Sequence, residues 1–342
     1  MANLEFIRYI PVREITNGDS LSWELDKMAK VVDGLPQLYW GDGLPWSEAN
    51  HWALTKVRSM RGNSLKTTVA LLKHLSHYAS WLEHSKLDWR HFPEEAASRP
   101  IVQFRGELIR QRDELGLLMP STATARMSAV LQFYRHAQVH GFVQRNSPLW
   151  IDRQVVHGFY SNTGFARTML VTVSELAIPN RGRYGDVLED GLTPLRPEHA
   201  SELLEFTKQQ ELMELHYLLS LGFLSGGRFG TLATLKVRHI EEAVTDYSMQ
   251  GFRRIRVGPG TGVKTKYDVS GDLLVPSFLI EALKGYAYSM QRLRRQAKAS
   301  PEHKDLLFLT ARGNPYSLQS FSRLMTDLRR RALVAGLLFM QS

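Results

Sequence analysis

The sequence contains no cysteine, which excludes disulfides, thiolate metal centres and cysteine nucleophiles. It has no apolar run approaching the ~18 residues that span a bilayer. Its first residues, MANLEFIRYI, offer no basic leader ahead of an apolar core and no cleavage site. A cytoplasmic protein with no membrane association is expected. Internal repeats, low-complexity tracts and a G-x-S-x-G nucleophile elbow are also missing. What the chain does have is length and positive charge. Its 342 residues, 43% of them apolar, suffice for about two buried cores. The net charge is +9, and residues 201–342 hold 20 Lys and Arg against 13 Asp and Glu, so most of the excess is C-terminal. Such an excess points to a polyanion, and without a membrane signal the expected partner is nucleic acid. Basic runs at Arg292, Arg294, Arg295 and Lys298, and at Arg329, Arg330 and Arg331, fit this reading and equally fit solvated helix faces.

Residues 1–57 interleave Trp40, Trp46 and Trp52 with turn signals such as NGDS and GDGLP, and form an N-terminal extension of no assigned function. A helical domain is expected over residues 58–148. Leu65, Val69, Leu72, Leu75, Tyr78 and Leu82 recur at spacings of three and four, and a second helix is predicted around residues 101–111. A third begins near Ser121, with Met127, Val130, Leu131 and Tyr134 on one stripe and Gly141 past its end. Lys66, Lys73, Arg126 and Arg135 fall on the outward faces. Residues 149–195, including IPNRGRYGDVLEDG, read as a linker or insertion. From 196 onward two helices precede GFRRIRV, VKTKYDV and DLLVP, which read as three short antiparallel strands, and the helical period then returns. The expected class is mostly α with a small antiparallel sheet.

One stretch carries the functional question. In LSLGFLSGGRFGTLATLKVRHI, residues 219–240, Gly226 and Gly227 break an apolar run and set Arg228 at the mouth of a new helix. A guanidinium there, beside outward peptide N–H groups, matches the charge of a phosphodiester under attack. The glycine pair would let the backbone turn sharply and approach a ligand. The same spacing also suits an Arg228 that pairs with a carboxylate and tethers two helices.

LSGGRFGTLATLKVRHI resembles the first arginine box of the tyrosine recombinase (phage integrase) family, G-x-R-x-x-E-x-x-x-L-x-W-x-D-I, with Gly226, Arg228, Leu235 and Ile240 in register. KTKYDVSGDLLVPSFLIEAL resembles the family's lysine hairpin, and LLFLTARGNPYSLQSFSRLMTDLRRRALVAGL resembles its F-x-x-x-x-G-x-P-x-S-x-x-x-F segment. Residues 64–148 are similar to its helical, SAM-like core-binding domain, down to the R-x-S-A-V-x-x-F-Y helix. The resemblance implies a core-binding domain and a catalytic domain, residues 196–342, that close as a C-shaped clamp on double-stranded DNA. It implies a homo-oligomer on DNA, and cleavage and rejoining through a 3′-phosphotyrosine with no metal or nucleotide cofactor. Arg228 corresponds to the first phosphate-clamping arginine. Lys264 corresponds to the lysine that protonates the departing 5′ oxygen, with Lys266 the alternative. Lys66, Lys73, Arg126, Arg135, Arg292 and Arg295 are the expected DNA contacts.

The departures are specific. The family's glutamate is Thr231 here, and its Trp-x-Asp is Val237, Arg238 and His239. Its second box, H-x-L-R-H, and its nucleophilic tyrosine are expected beyond Ser342, and neither Tyr286 nor Tyr316 holds a matching position. The chain alone is therefore expected to bind DNA without cleaving it. A non-catalytic DNA-binding protein of the same architecture is the alternative. A remoter one is a P-loop NTPase, because GPGTGVKT nearly fits G-x-x-x-x-G-K-[ST]; Val263 replaces the second glycine, and the following residues do not read as a helix. His74 with His77, or His136 with His140, could share a helix face, but neither pair has an acidic partner at ligand spacing, so no metal site is expected.

Overall fold

A computed structural model describes residues 1–17, 20–59, 65–160, 166–180 and 195–337. They form eleven α-helices and small antiparallel sheets of two or three strands, divided between two units, Met1–Thr193 and Pro194–Ser342. No helix among them is long and apolar enough to cross a membrane.

The first unit is organised around α1 (Ser47–Arg58), α2 (Leu65–Ser85), α3 (Pro100–Asp113) and α4 (Pro120–Val139). Proline at the first turn of α3 and α4 presets φ and forfeits an N–H that would have no intrahelical partner anyway. The predicted stripe of α4 and, on α2, Leu72, Leu75, Tyr78 and Leu82 are buried and share one core with Trp46, Trp52, Phe104 and Phe133, whereas Leu65 and Val69 are half-buried outside it. Two hydroxyls enter that core without being orphaned. Tyr134 donates to the Trp89 carbonyl at 2.7 Å, and the Tyr78 hydroxyl meets that of Tyr134 at 2.7 Å.

The N-terminal extension belongs to the same core. β1 (Asn3–Tyr9) and β4 (Val32–Tyr39) pair antiparallel, from Asn3↔Tyr39 to Tyr9↔Val32, while β2 (Val12–Asn17) and β3 (Ser20–Leu25) form a separate pair. Buried Asn50 of α1 clamps β4 at both backbone groups of Leu38, accepting its N–H at 2.6 Å and donating to its carbonyl at 3.0 Å. Helical packing thus begins at α1, ahead of the residue-58 boundary expected from periodicity. The segment expected as linker or insertion contains β5 (Asp152–Tyr160) and β6 (Ala166–Ser174), paired from Asp152↔Ser174 to Tyr160↔Ala166, after which Leu176 and Ile178 return to the core. Most of IPNRGRYGDVLEDG lies outside the described residues.

The second unit runs through α5 (Pro197–Gln209), α6 (Met213–Ser225), α7 (Phe229–Leu232), α8 (Val237–Glu241), β7 (Val244–Thr245), β8 (Phe252–Val257), β9 (Gly271–Pro276), α9 (Ser277–Ala287), α10 (Met290–Gln296) and α11 (Leu318–Val334). Helix α6 serves two cores, which explains why it is apolar all round. Leu215 and Leu219 pack with Leu203, Phe206 and Leu328, whereas Leu218 and Leu221 pack with Leu235, Ile255, Leu279 and Phe308.

The sheet has three strands, in the order β7-β8-β9, but they are not the three expected. VKTKYDV makes only an isolated bridge, Gly258↔Val263, and then a 3-10 turn at Lys266–Asp268. Tyr267 at φ +64° and Asp268 at φ +51° are left-handed, a backbone that cannot continue a strand. The Thr265 hydroxyl closes this turn on the Val269 carbonyl at 2.7 Å. The third strand is the two-residue β7, too short to announce itself by alternation.

Candidate nucleic-acid interface

The arginine turn is built from its two glycines. Gly226 ends α6 at φ +64°, its N–H reaching the Gly222 carbonyl at 3.0 Å, the left-handed cap that glycine adopts without steric cost. Gly227 is needed for a different reason: a Cβ there would lie 2.5 Å from Leu232 Cδ2. The close approach it permits is to the chain's own Leu232. Arg228 follows, and its carbonyl accepts the N–H groups of Thr231 at 2.9 Å and Leu232 at 3.0 Å, which starts α7. Phe229 stacks on Phe321 of α11 with centroids 4.4 Å apart, fixing the turn against that helix. The Arg228 side chain is exposed and forms no ion pair among the described residues. Among the described residues, then, no carboxylate tethers it between helices.

The lysine turn is tied to this one. The Lys264 N–H donates to Thr234 Oγ1 at 2.9 Å, and that hydroxyl lies 3.0 Å from the Gly230 carbonyl and 3.1 Å from that of Thr231. One hydroxyl thus joins the segment that Arg228 opens to the segment that carries Lys264. His239 adds a second tie. Its Nδ1 accepts the Lys236 N–H at 2.9 Å and its Nε2 sits 3.0 Å from the Thr261 carbonyl, to which Arg238 also donates at 3.1 Å. This pattern requires a bare Nδ1 and a protonated Nε2, the neutral tautomer. Burial, with the cations of Arg238 and Lys236 nearby, holds the His239 pKa below the usual histidine value. His239 was legible only as a departure from Trp-x-Asp; its role emerges from the geometry.

Both candidate lysines are exposed, with Lys266 Nζ 5.0 Å from the Tyr267 ring centroid. The P-loop reading finds no support, since GPGTGVKT leads into the 3-10 turn and β9 rather than a helix whose N-terminus could face phosphates.

The other expected DNA contacts divide. Lys66 and Lys73 are exposed on α2. Arg126 is half-buried, with a guanidinium nitrogen 3.1 Å from His77 Nε2, and burial together with Arg126 lowers the pKa of both His74 and His77. Arg135 is already paired with Asp152 at 2.9 Å and lies over Trp150 at 5.6 Å from the ring centroid. Two arginines are corrected outright. Arg292 is 2% exposed and donates to the carbonyls of Ala287, Lys304, Leu306 and Leu307 at 2.8–3.2 Å. Arg295 pairs with buried Glu214 and donates to the Leu309 carbonyl at 2.6 Å. Arg292 does not face solvent as a DNA contact must, and half-buried Arg295 has its guanidinium already committed to Glu214 and Leu309. A sequence signal for the second existed: Glu214 in an otherwise apolar helix needs a buried cation.

The chain is similar to a transposon integrase. Solved structures of the Tn1549 transposon integrase with transposon right-end DNA match at 14% identity over 84% of this chain and 79% of that one, with a TM-score of 0.49. The same integrase with circular-intermediate DNA matches at 13% identity, with the same coverage and a TM-score of 0.48. No protein-family model matches the chain, and neither does any curated protein sequence.

Proposed function

We propose that this chain binds duplex DNA in the manner of the tyrosine recombinases, with Arg228 and Lys264 directed to one phosphate. The observation that carries this reading is the Thr234 hydroxyl, which couples the two cation-bearing turns while Arg228 keeps its guanidinium free of any carboxylate among the described residues. In this role the planar fork of Arg228 holds two non-bridging oxygens, as a single-point ammonium could not. The Lys264 ammonium then serves the departing 5′ oxygen as general acid. Lys264 is preferred over Lys266 because its own backbone is tethered to the arginine segment, whereas Lys266 occupies the left-handed turn beside Tyr267. Tyr286 is buried and Tyr316 half-buried, and burial raises the pKa of both phenols, which supports neither as the nucleophile. Thr234 and His239 are positioning residues.

The test is fluorescence anisotropy with duplex DNA over a salt series. Non-specific binding on the order of 10⁻⁴ to 10⁻⁶ M at physiological salt, falling steeply as salt rises, is expected. Arg228→Ala and Lys264→Ala should each lower the salt slope by about 1, the signature of one lost phosphate contact. Binding that ignores salt, or an Arg228→Ala protein indistinguishable from the parent, would overturn the proposal.

A further inference from the structure

We infer that His51, His136 and His140 form a binding site for a divalent transition metal ion of the zinc class. This inference is independent of the DNA reading. His136 and His140 are four residues apart at the C-terminal end of α4, so their rings leave one face of the helix. His51 reaches the same point from α1. One nitrogen from each ring lies within 4.8 Å of the other two, and His51 Nδ1 is 3.0 Å from His136 Nε2. A tetrahedral ion with metal–nitrogen bonds of about 2.0–2.1 Å holds its nitrogens roughly 3.4 Å apart, so side-chain torsions suffice to close the three rings on one ion.

The donor set selects the metal. Three imidazoles without a carboxylate suit zinc, copper or nickel rather than magnesium or calcium. The Phe142 ring backs all three, with centroids 5.3 to 6.2 Å from theirs, and so limits the rings' freedom to turn away. His51 and His140 are exposed, which leaves a fourth coordination position open to water. Without metal, the His51–His136 contact is an N–H···N bond with a proton on one of the facing nitrogens. Binding shifts that proton, by exchange through solvent, to the other nitrogen of the same ring, so that both rings stay neutral and two lone pairs face the ion. The immediate consequence is a cross-link between α1 and α4. The sequence argued against a metal because His136 and His140 lack an acidic neighbour; the third ligand is instead a histidine 85 positions before His136.

The test uses the full chain without an affinity tag, titrated with zinc chloride in a calorimeter and with cobalt(II) followed by visible absorption. One zinc per chain, a cobalt spectrum of tetrahedral intensity and a higher melting temperature with zinc are expected. His51→Ala and His140→Ala should each weaken zinc binding by at least about tenfold, whereas His74→Ala, in the other histidine pair, should bind as the parent does. Should His136→Ala fail to fold, exposed His140 still provides the reading. Absence of saturable zinc binding would overturn the inference. So would a His51→Ala protein with undiminished affinity, since the two α4 histidines would then account for all of it. Parent protein that ignores zinc but loses DNA affinity on His51→Ala would assign the cluster to phosphate instead.

Discussion

The backbone of Lys264 is bound to the side chain of Thr234: its N–H donates to the threonine hydroxyl at 2.9 Å, across 30 residues of sequence. That bond makes the position of one cation depend on the segment that presents the other. Because Lys264 is exposed, water can replace the lost partner, and Thr234→Val should cost only about 0.5–1.5 kcal/mol. The larger effect should be local. Amide exchange at Lys264 should accelerate and DNA affinity should fall, while Thr234→Ser, which keeps the acceptor, should behave as the parent. Unchanged exchange at Lys264 in the valine variant would show that the hydroxyl does not hold the turn.

Arg228→Lys separates charge from shape. The substitution retains one positive charge, so the salt slope of DNA binding should stay near that of the parent, while affinity falls because a point-charge ammonium replaces a bidentate fork. Arg228→Ala should lower both. A lysine variant with full affinity would mean that Arg228 contributes charge alone.

Much of this was legible from residue spacing, and the failures have physical causes. The stripes of α2 and α4 and the glycine-arginine turn follow from local periodicity and backbone sterics, which a single segment carries within itself. The integration of residues 1–57 does not, because Asn50 meets Leu38 through a strand-to-helix clamp that no period encodes. Arg292 reads as a solvated basic residue by composition, and only the carbonyls of the 304–307 segment, brought beneath α10 by the fold, show it to be a buried tie. His239 and His51 were missed for the same reason: their partners are distant in sequence, and a histidine's role is set by whatever its two nitrogens meet.

His239 gives the second unit an acid-side sensitivity. Its folded pKa is lowered, so below the unfolded value of about 6.5 the unfolded chain takes up a proton before the folded one does. Its contribution to stability is therefore fully present at neutral pH and is lost as pH falls from about 6.5 through the folded pKa. Protonation would place an N–H on Nδ1 facing the Lys236 N–H, opening the α8 end of the tie to Thr261. Melting followed between pH 7 and pH 5 should show the second unit losing stability in the parent and losing less in His239→Gln. Parallel loss in both proteins would remove His239 from the account.

Arg295 and Glu214 hold Leu309 from both sides, the carboxylate accepting its N–H at 2.8 Å and the guanidinium donating to its carbonyl at 2.6 Å. Glu214 is 3% exposed. Arg295→Met leaves that carboxylate without its counter-charge and should cost about 3–5 kcal/mol, the usual result of breaking a buried pair from one side. Adding Glu214→Gln removes the stranded charge while keeping an acceptor for the Leu309 N–H, so the double variant should recover part of the loss, with a coupling energy of about 0.5–3 kcal/mol. The same pair tests whether Arg295 touches DNA. A structural cation leaves the salt slope of DNA binding unchanged in the refolded double variant, whereas a phosphate contact would lower it by about 1, as expected for Arg228→Ala. A double variant that folds well and yet loses that increment of slope would return Arg295 to the DNA interface.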